Sequence, residues 1–200
     1  MHTFTTDNKT ISIFPCSESE SPVIYLNTFL DEGQKVYEAA QAAGCPPFTL
    51  VAISDLEWNH DMVPWDSPSA FKNAEPCTGG ADEYLRLLTE EIIPATEREL
   101  PRPPRWRGIA GYSLAGLFAL YAICQTDLFS RVGSMSGSLW FPSVKEYIFS
   151  MNRSGGQIVC TFPWVTRRAN LETKSCGMSG RTQKRFRHSI RPRGSTRCFS

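Results

Sequence analysis

Apolar and polar positions follow two periods along the chain, and the switches between them mark out strands and helices. Residues 10–14 (TISIF) alternate as an antiparallel edge strand does, whereas residues 22–26 (PVIYL) and 48–54 (FTLVAIS) are continuous apolar runs typical of buried central strands. Between those runs, residues 34–43 read as an Ala-rich helix stopped by Gly44. A long loop over residues 55–80 carries Trp58, Pro64, Trp65, Pro68 and the pair Gly79-Gly80. Helical spacing then returns over residues 81–99 through Tyr84, Leu85, Leu87, Leu88, Ile92 and Ile93, and Pro101, Pro103 and Pro104 end it. Residues 106–110 predict a strand, 114–124 an apolar helix and 131–135 (RVGSM) a further strand. Such alternation predicts an α/β fold, a mostly parallel sheet covered by helices on both faces.

One serine stands where a strand of this series turns into a helix, in Gly108-Ile109-Ala110-Gly111-Tyr112-Ser113-Leu114-Ala115-Gly116. A serine presented above a sheet needs small residues two places before it and two or three after, because the chain must make a tight, strained bend there. Gly111, Ala115 and Gly116 supply that room. The same bend aims the Leu114 N–H, at the positive end of the helix dipole, at the place where an oxyanion would form. Nucleophile and half an oxyanion hole therefore come from one local motif.

The net charge of +1 conceals a division. Residues 1–152 hold 10 Lys/Arg against 19 Asp/Glu, and residues 153–200 hold 11 against 1. The reading is a domain over 1–152, truncated at its C-terminal edge, followed by a basic, disordered or frame-shifted tail over 153–200. Seven cysteines, at 16, 45, 77, 124, 160, 176 and 198, form neither a CxxC pair nor zinc spacing, and the odd count speaks for free thiols. No signal-like start or bilayer-length apolar run stands in the chain, so a cytoplasmic location without membrane association is expected. No metal or cofactor is indicated.

Five ordered segments, PVIYLNTF with DEG, DLEWNHDMVPW, GGADEYLRLLTEEIIP, GYSLAGLFALYA and DLFSRVGSMSGSLWFP, resemble the putative-esterase branch of the α/β-hydrolases, the group around enterochelin esterases, over about residues 8–150. The resemblance implies a serine hydrolase acting on small-molecule carboxylic esters by an acyl-enzyme route, with Ser113 as nucleophile. It also implies that the second oxyanion donor is the backbone N–H of Thr28 or Phe29, in the loop after PVIYL.

The order expected of this fold is serine, then acid, then histidine. Here the chain departs from the pattern. Of three histidines, His2 is terminal, His60 precedes the serine, and His188 lies in a cationic run that depresses its basicity. Asp127, Glu146 and Glu172 are the downstream acids, and none reads as the catalytic one. Asp31 and Glu32 read as a solvated helix start, and Trp58, Trp65 and Trp140 as packing residues. Codons permitted for residues 157–168, read from each third base, allow DRLYFSLGDKE, a segment of the kind family members carry. The same offset over residues 179–186 allows VRENTEAI, which is why the tail reads as frame-shifted. Two alternatives stand beside the esterase reading: an inactive pseudohydrolase, and a basic arm whose Arg167, Arg168, Arg181, Lys184, Arg185, Arg187, Arg191, Arg193 and Arg197 bind nucleic acid.

Overall fold

The computed structural model describes residues 1–18, 21–69 and 75–150. The chain opens with an antiparallel hairpin of β1 (His2–Thr6) and β2 (Lys9–Phe14), turned by Asp7 and Asn8 at φ 47° and 59°. There follow β3 (Val23–Asn27), α1 (Gly33–Ala42), β4 (Thr49–Ser54), α2 (Trp58–Asp61) and a small antiparallel pair, β5 (Asp66–Ser67) with β6 (Cys77–Thr78). Then come α3 (Ala81–Leu87), a π turn (Leu88–Ile92), α4 (Ile93–Arg98), β7 (Arg107–Tyr112), α5 (Leu114–Gln125), β8 (Arg131–Met135) and α6 (Val144–Ser150). The six-stranded sheet runs β1-β2-β4-β3-β7-β8, with β4, β3, β7 and β8 parallel and the β1–β2 hairpin antiparallel.

The apolar runs are continuous because each strand is covered on both faces. Val23 and Tyr25 of β3 join Val51, Ile53 and Ile109 in the larger core, beneath α3 and α5. Ile24 and Leu26 point the other way, with Leu50, Ala52 and Ala110, into a second core that includes Tyr37 and Ala40 of α1. All ten residues from Leu114 to Ile123 are buried, so α5 is enclosed rather than amphipathic. At about 1.5–3 kcal/mol for each fully buried large side chain, its Leu117, Phe118, Leu120 and Ile123 hold the helix firmly behind the elbow.

The loop expected over residues 55–80 holds α2 and the β5–β6 pair, and three further details differ from the sequence reading. Residues 10–14 are not an edge strand, since β1 pairs outside β2; β1 carries Phe4 as its one large apolar residue and so leaves little hydrophobic signal. The long helix contains a π turn that ends at Ile92, two residues before Pro94, whose ring and missing N–H cannot be fitted into a regular α-helical turn. Cys16 and Cys77 are free thiols, but Cys45 is disulfide-bonded; an odd count excludes complete pairing, not a single bridge.

Two ion pairs fasten the layers. Lys9 Nζ lies 2.7 Å from Asp61 Oδ2, both side chains buried, and Asp61 also accepts the Glu57 N–H, which ties α2 to the start of β2. Arg107 grips Glu97 with two hydrogen bonds of 2.5 and 2.7 Å, joining β7 to α4, while the Tyr25 hydroxyl donates to the same carboxylate. Burial, then the Glu97 charge, pushes the Tyr25 phenol well above its ordinary range. No helix among the described residues is long and apolar enough to cross a membrane. His188 and the nine basic residues read as a nucleic-acid arm lie outside the described residues, as does Glu172.

Candidate active site

Ser113 occupies the N-cap of α5 at φ 56°, ψ −118°, a conformation that costs a non-glycine residue about 1–3 kcal/mol. N-cap serines ordinarily sit in extended backbone and turn their hydroxyl onto the second or third helical N–H. Ser113 makes no such bond, so its hydroxyl is left for other use. The bend is anchored by Ser113 N–H donating to the Met135 carbonyl at 3.1 Å and by the Ser113 carbonyl accepting from Leu117.

Small residues are required here for a steric reason. A Cβ on Gly111 would lie 2.4 Å from the Ala115 carbonyl carbon and oxygen, and one on Gly116 would lie 2.9 Å from Gly137 Cα. Neither neighbour is a side chain that can swing aside.

Leu114, the first residue of α5, has an N–H with no backbone partner outside the helix among the described residues, as expected of a helix N-terminus. The opposite side is formed by the loop after β3. Pairing of β3 with β7 ends at Asn27 opposite Gly111, so the residues after Asn27 run beside the elbow. Their amides are not equivalent. Thr28 N–H donates to the Ile53 carbonyl at 2.9 Å, and Thr28 Oγ1 lies 2.8 Å from the same oxygen. Leu30 N–H is taken by the Glu32 carboxylate at 3.1 Å. Among the described residues, that leaves the Phe29 N–H as the one unengaged amide of the three, and the Thr28 N–H expected as an alternative donor is corrected: it extends the β3–β4 ladder.

Two polar side chains near the elbow were not singled out from the sequence. Ser138, 2% exposed, places its Oγ 3.3 Å from Ser113 Oγ and donates its N–H to the Ser113 carbonyl at 2.9 Å. Asn27, equally buried, accepts from the Tyr84 hydroxyl at 2.5 Å, while its Nδ2 has no partner among the described residues. Burial, then the Asp61 charge, raises the Tyr84 phenol well above its usual range, so it stays a donor. A serine in a Ser-Gly-Ser run after a buried strand and a polar residue ending an apolar run were the available signals.

The histidines do not meet the serine among the described residues. His60 Nδ1 is 2.8 Å from Thr78 Oγ1, and the ring packs so closely on Gly80 that a Cβ there would stand 2.2 Å from Nε2. His2 lies 3.6 Å from Glu99 at the far hairpin. Glu32 caps its own loop, Glu146 lies in α6, and Asp127 follows α5. Trp65 Nε1–H donates to the Pro142 carbonyl, and the Trp65 and Tyr147 rings meet in a T-shaped contact. Phe29, Tyr112 and Trp140 expose 57%, 61% and 53% of their surface, and the Trp58 and Phe29 rings meet in a T-shaped contact.

The "Putative esterase" family model matches residues 14–175, a range that runs past the change in charge near residue 152. A Bacillus subtilis (strain 168) protein named "Uncharacterized protein YbbA" is 28% identical over 134 residues, 64% of this chain and 54% of its own length. Among solved structures, the IroE-like serine hydrolase of Shewanella oneidensis aligns with a TM-score of 0.60 at 23% identity, over 72% of this chain and 51% of that one. The BES protein of Bacillus cereus aligns at 0.61 and 25% identity, over 75% and 68%. The siderophore hydrolase EstA of Aspergillus nidulans aligns at 0.60 and 19% identity, over 94% and 75%. The likeness shows the α/β-hydrolase fold, with this chain spanning about half the length of YbbA and of the Shewanella protein.

Proposed function

The chain belongs to the "Putative esterase" family, and from that premise we propose that it is a serine hydrolase of small-molecule carboxylic esters with Ser113 as its nucleophile. The observation that carries the reading is Ser113 itself: a helix-capping serine held at positive φ whose hydroxyl does not cap the helix. In the proposed reaction Ser113 Oγ attacks the ester carbonyl carbon, its proton passes to a general base, and the carbonyl electrons collect on oxygen. The Leu114 and Phe29 N–H groups receive that oxyanion. Collapse expels the alcohol, which takes the proton back, and water then releases the acid from the acyl-Ser113 ester. Exposed Phe29, Tyr112 and Trp140 fit an ester with an apolar or aromatic acyl group.

The test is hydrolysis of p-nitrophenyl butyrate by the full chain against Ser113→Ala. The reading expects turnover that the variant loses; equal rates overturn it. A second reading, a hydrolase fold without turnover, is favoured by the absence of any histidine bonded to Ser113 among the described residues. It predicts no steady-state release of p-nitrophenol from either protein while both remain folded.

A further inference from the structure

We infer that Ser138 is a positioning residue for the reaction, its buried hydroxyl setting the rotamer of the Ser113 hydroxyl; this rests on Ser113 being the nucleophile. Nothing in the chain order brings these residues together, since they are 25 positions apart. The fold does it in two steps. Parallel pairing of β7 with β8 sets Tyr112 opposite Met135, so the segment leaving β8 emerges beside the elbow. That segment then turns back through Ser136, at φ 48°, and presses Gly137 against Gly116. The approach works only because both residues are glycine: a Cβ on Gly137 would stand 2.2 Å from Ser134 Oγ and 3.2 Å from the Gly116 carbonyl carbon.

The product of that close approach is a hydroxyl pair with one sensible role. Ser138 Oγ is shielded from solvent, and Ser113 Oγ is its hydrogen-bond partner among the described residues. A buried hydroxyl without a partner would cost about 1–3 kcal/mol, and the contact with Ser113 Oγ is what satisfies this one. Of the two possible directions, donation from Ser138 to Ser113 fills one lone pair of the nucleophile and leaves the Ser113 hydrogen available to a base. At 3.3 Å the contact is long for two hydroxyls, so the rotamer preference it sets is worth one modest hydrogen bond. The main-chain bond from Ser138 N–H to the Ser113 carbonyl survives replacement of the side chain. Removing the hydroxyl therefore tests orientation separately from the tether.

The experiment measures phosphonylation of the full chain by an alkyl fluorophosphonate, resolving the maximal rate from the half-saturating concentration, with thermal melting alongside. Ser138→Ala is expected to lower the maximal rate about 10-fold, the equivalent of one hydrogen bond of about 1.4 kcal/mol, with the half-saturating concentration unchanged. Ser138→Thr, which keeps the hydroxyl, restores the rate. Ser138→Cys, close in size but a weak donor, falls between the two and serves if the alanine variant does not fold. Labelling of Ser113 at the same maximal rate in the parent, alanine and cysteine proteins overturns the role of Ser138 and leaves the nucleophile standing. A folded parent that is never labelled at Ser113 overturns both.

Discussion

In Gly111→Ala a methyl group is driven to 2.4 Å from the carbonyl carbon and oxygen of Ala115, where 3.4 Å is the start of ordinary contact. The 1.0 Å overlap falls on main-chain atoms, so relief requires the first turn of α5 to move relative to β7. Overpacking of this kind costs about 1–3 kcal/mol, and a backbone clash belongs at the upper end, about 3 kcal/mol. For a chain of this length that lowers the melting temperature by about 6–12 °C. Because α5 carries Ser113 at its N-cap, a shift near 1 Å also misplaces the hydroxyl, an effect that costs about 100-fold in rate. Gly44→Ala is the matched control: its φ of +70° makes alanine unfavourable, but among the described residues no atom beyond its chain neighbours lies within 4 Å of the added methyl. Its cost is conformational, about 1 kcal/mol, and far from the chemistry. Circular-dichroism melts combined with p-nitrophenyl butyrate rates separate the two. Unchanged melting and unchanged rate in Gly111→Ala would refute the tight elbow, as would an equal rate loss in Gly44→Ala.

Further predictions concern the supports of the site. Phe29→Pro, which removes the proposed donor N–H, should cut ester turnover by about 100- to 1000-fold, whereas Phe29→Ala keeps the amide and retains most of kcat; equal losses would shift the role to the side chain. Lys9→Met strands the buried Asp61 carboxylate and should cost about 3–5 kcal/mol in urea unfolding, with Lys9→Met combined with Asp61→Leu recovering much of it. Tyr25 and Tyr84 hold their protons in the fold beyond the pH at which the unfolded chain releases them. Above about pH 10 the unfolded state therefore binds fewer protons, and stability should fall by about 1.4 kcal/mol per pH unit for each phenol, after being fully present below that pH. Urea midpoints measured on either side of about pH 10 check this; burial raises the Tyr121 and Tyr147 phenols as well, so Tyr84→Phe should lower the slope by one phenol's share, about 1.4 kcal/mol per pH unit.

What could be read from the sequence was what is encoded locally. The strand RVGSM and the stop at Gly44 are local signals, as are the small residues flanking Ser113, and each appears in the structure where expected. What escaped depends on neighbours distant in the chain. Whether Thr28 or Phe29 offers a free amide turns on how far the β3–β4 ladder extends, and it reaches one residue past β3 to consume Thr28 N–H. Ser138 reads as one more small residue in a turn until β8 lies beside β7 and two glycines allow the segments to touch. β1 escaped because a polar, exposed strand is specified by its pairing with β2 rather than by its own composition.

The most direct measurement is to mix the full chain with p-nitrophenyl acetate, quench in acid, digest, and locate the transferred acetyl group by tandem mass spectrometry. Acetyl is expected on the oxygen of Ser113. Release of p-nitrophenol with the acetyl group found only on another side chain, or with no acylated intermediate at Ser113 under conditions that trap one, contradicts it.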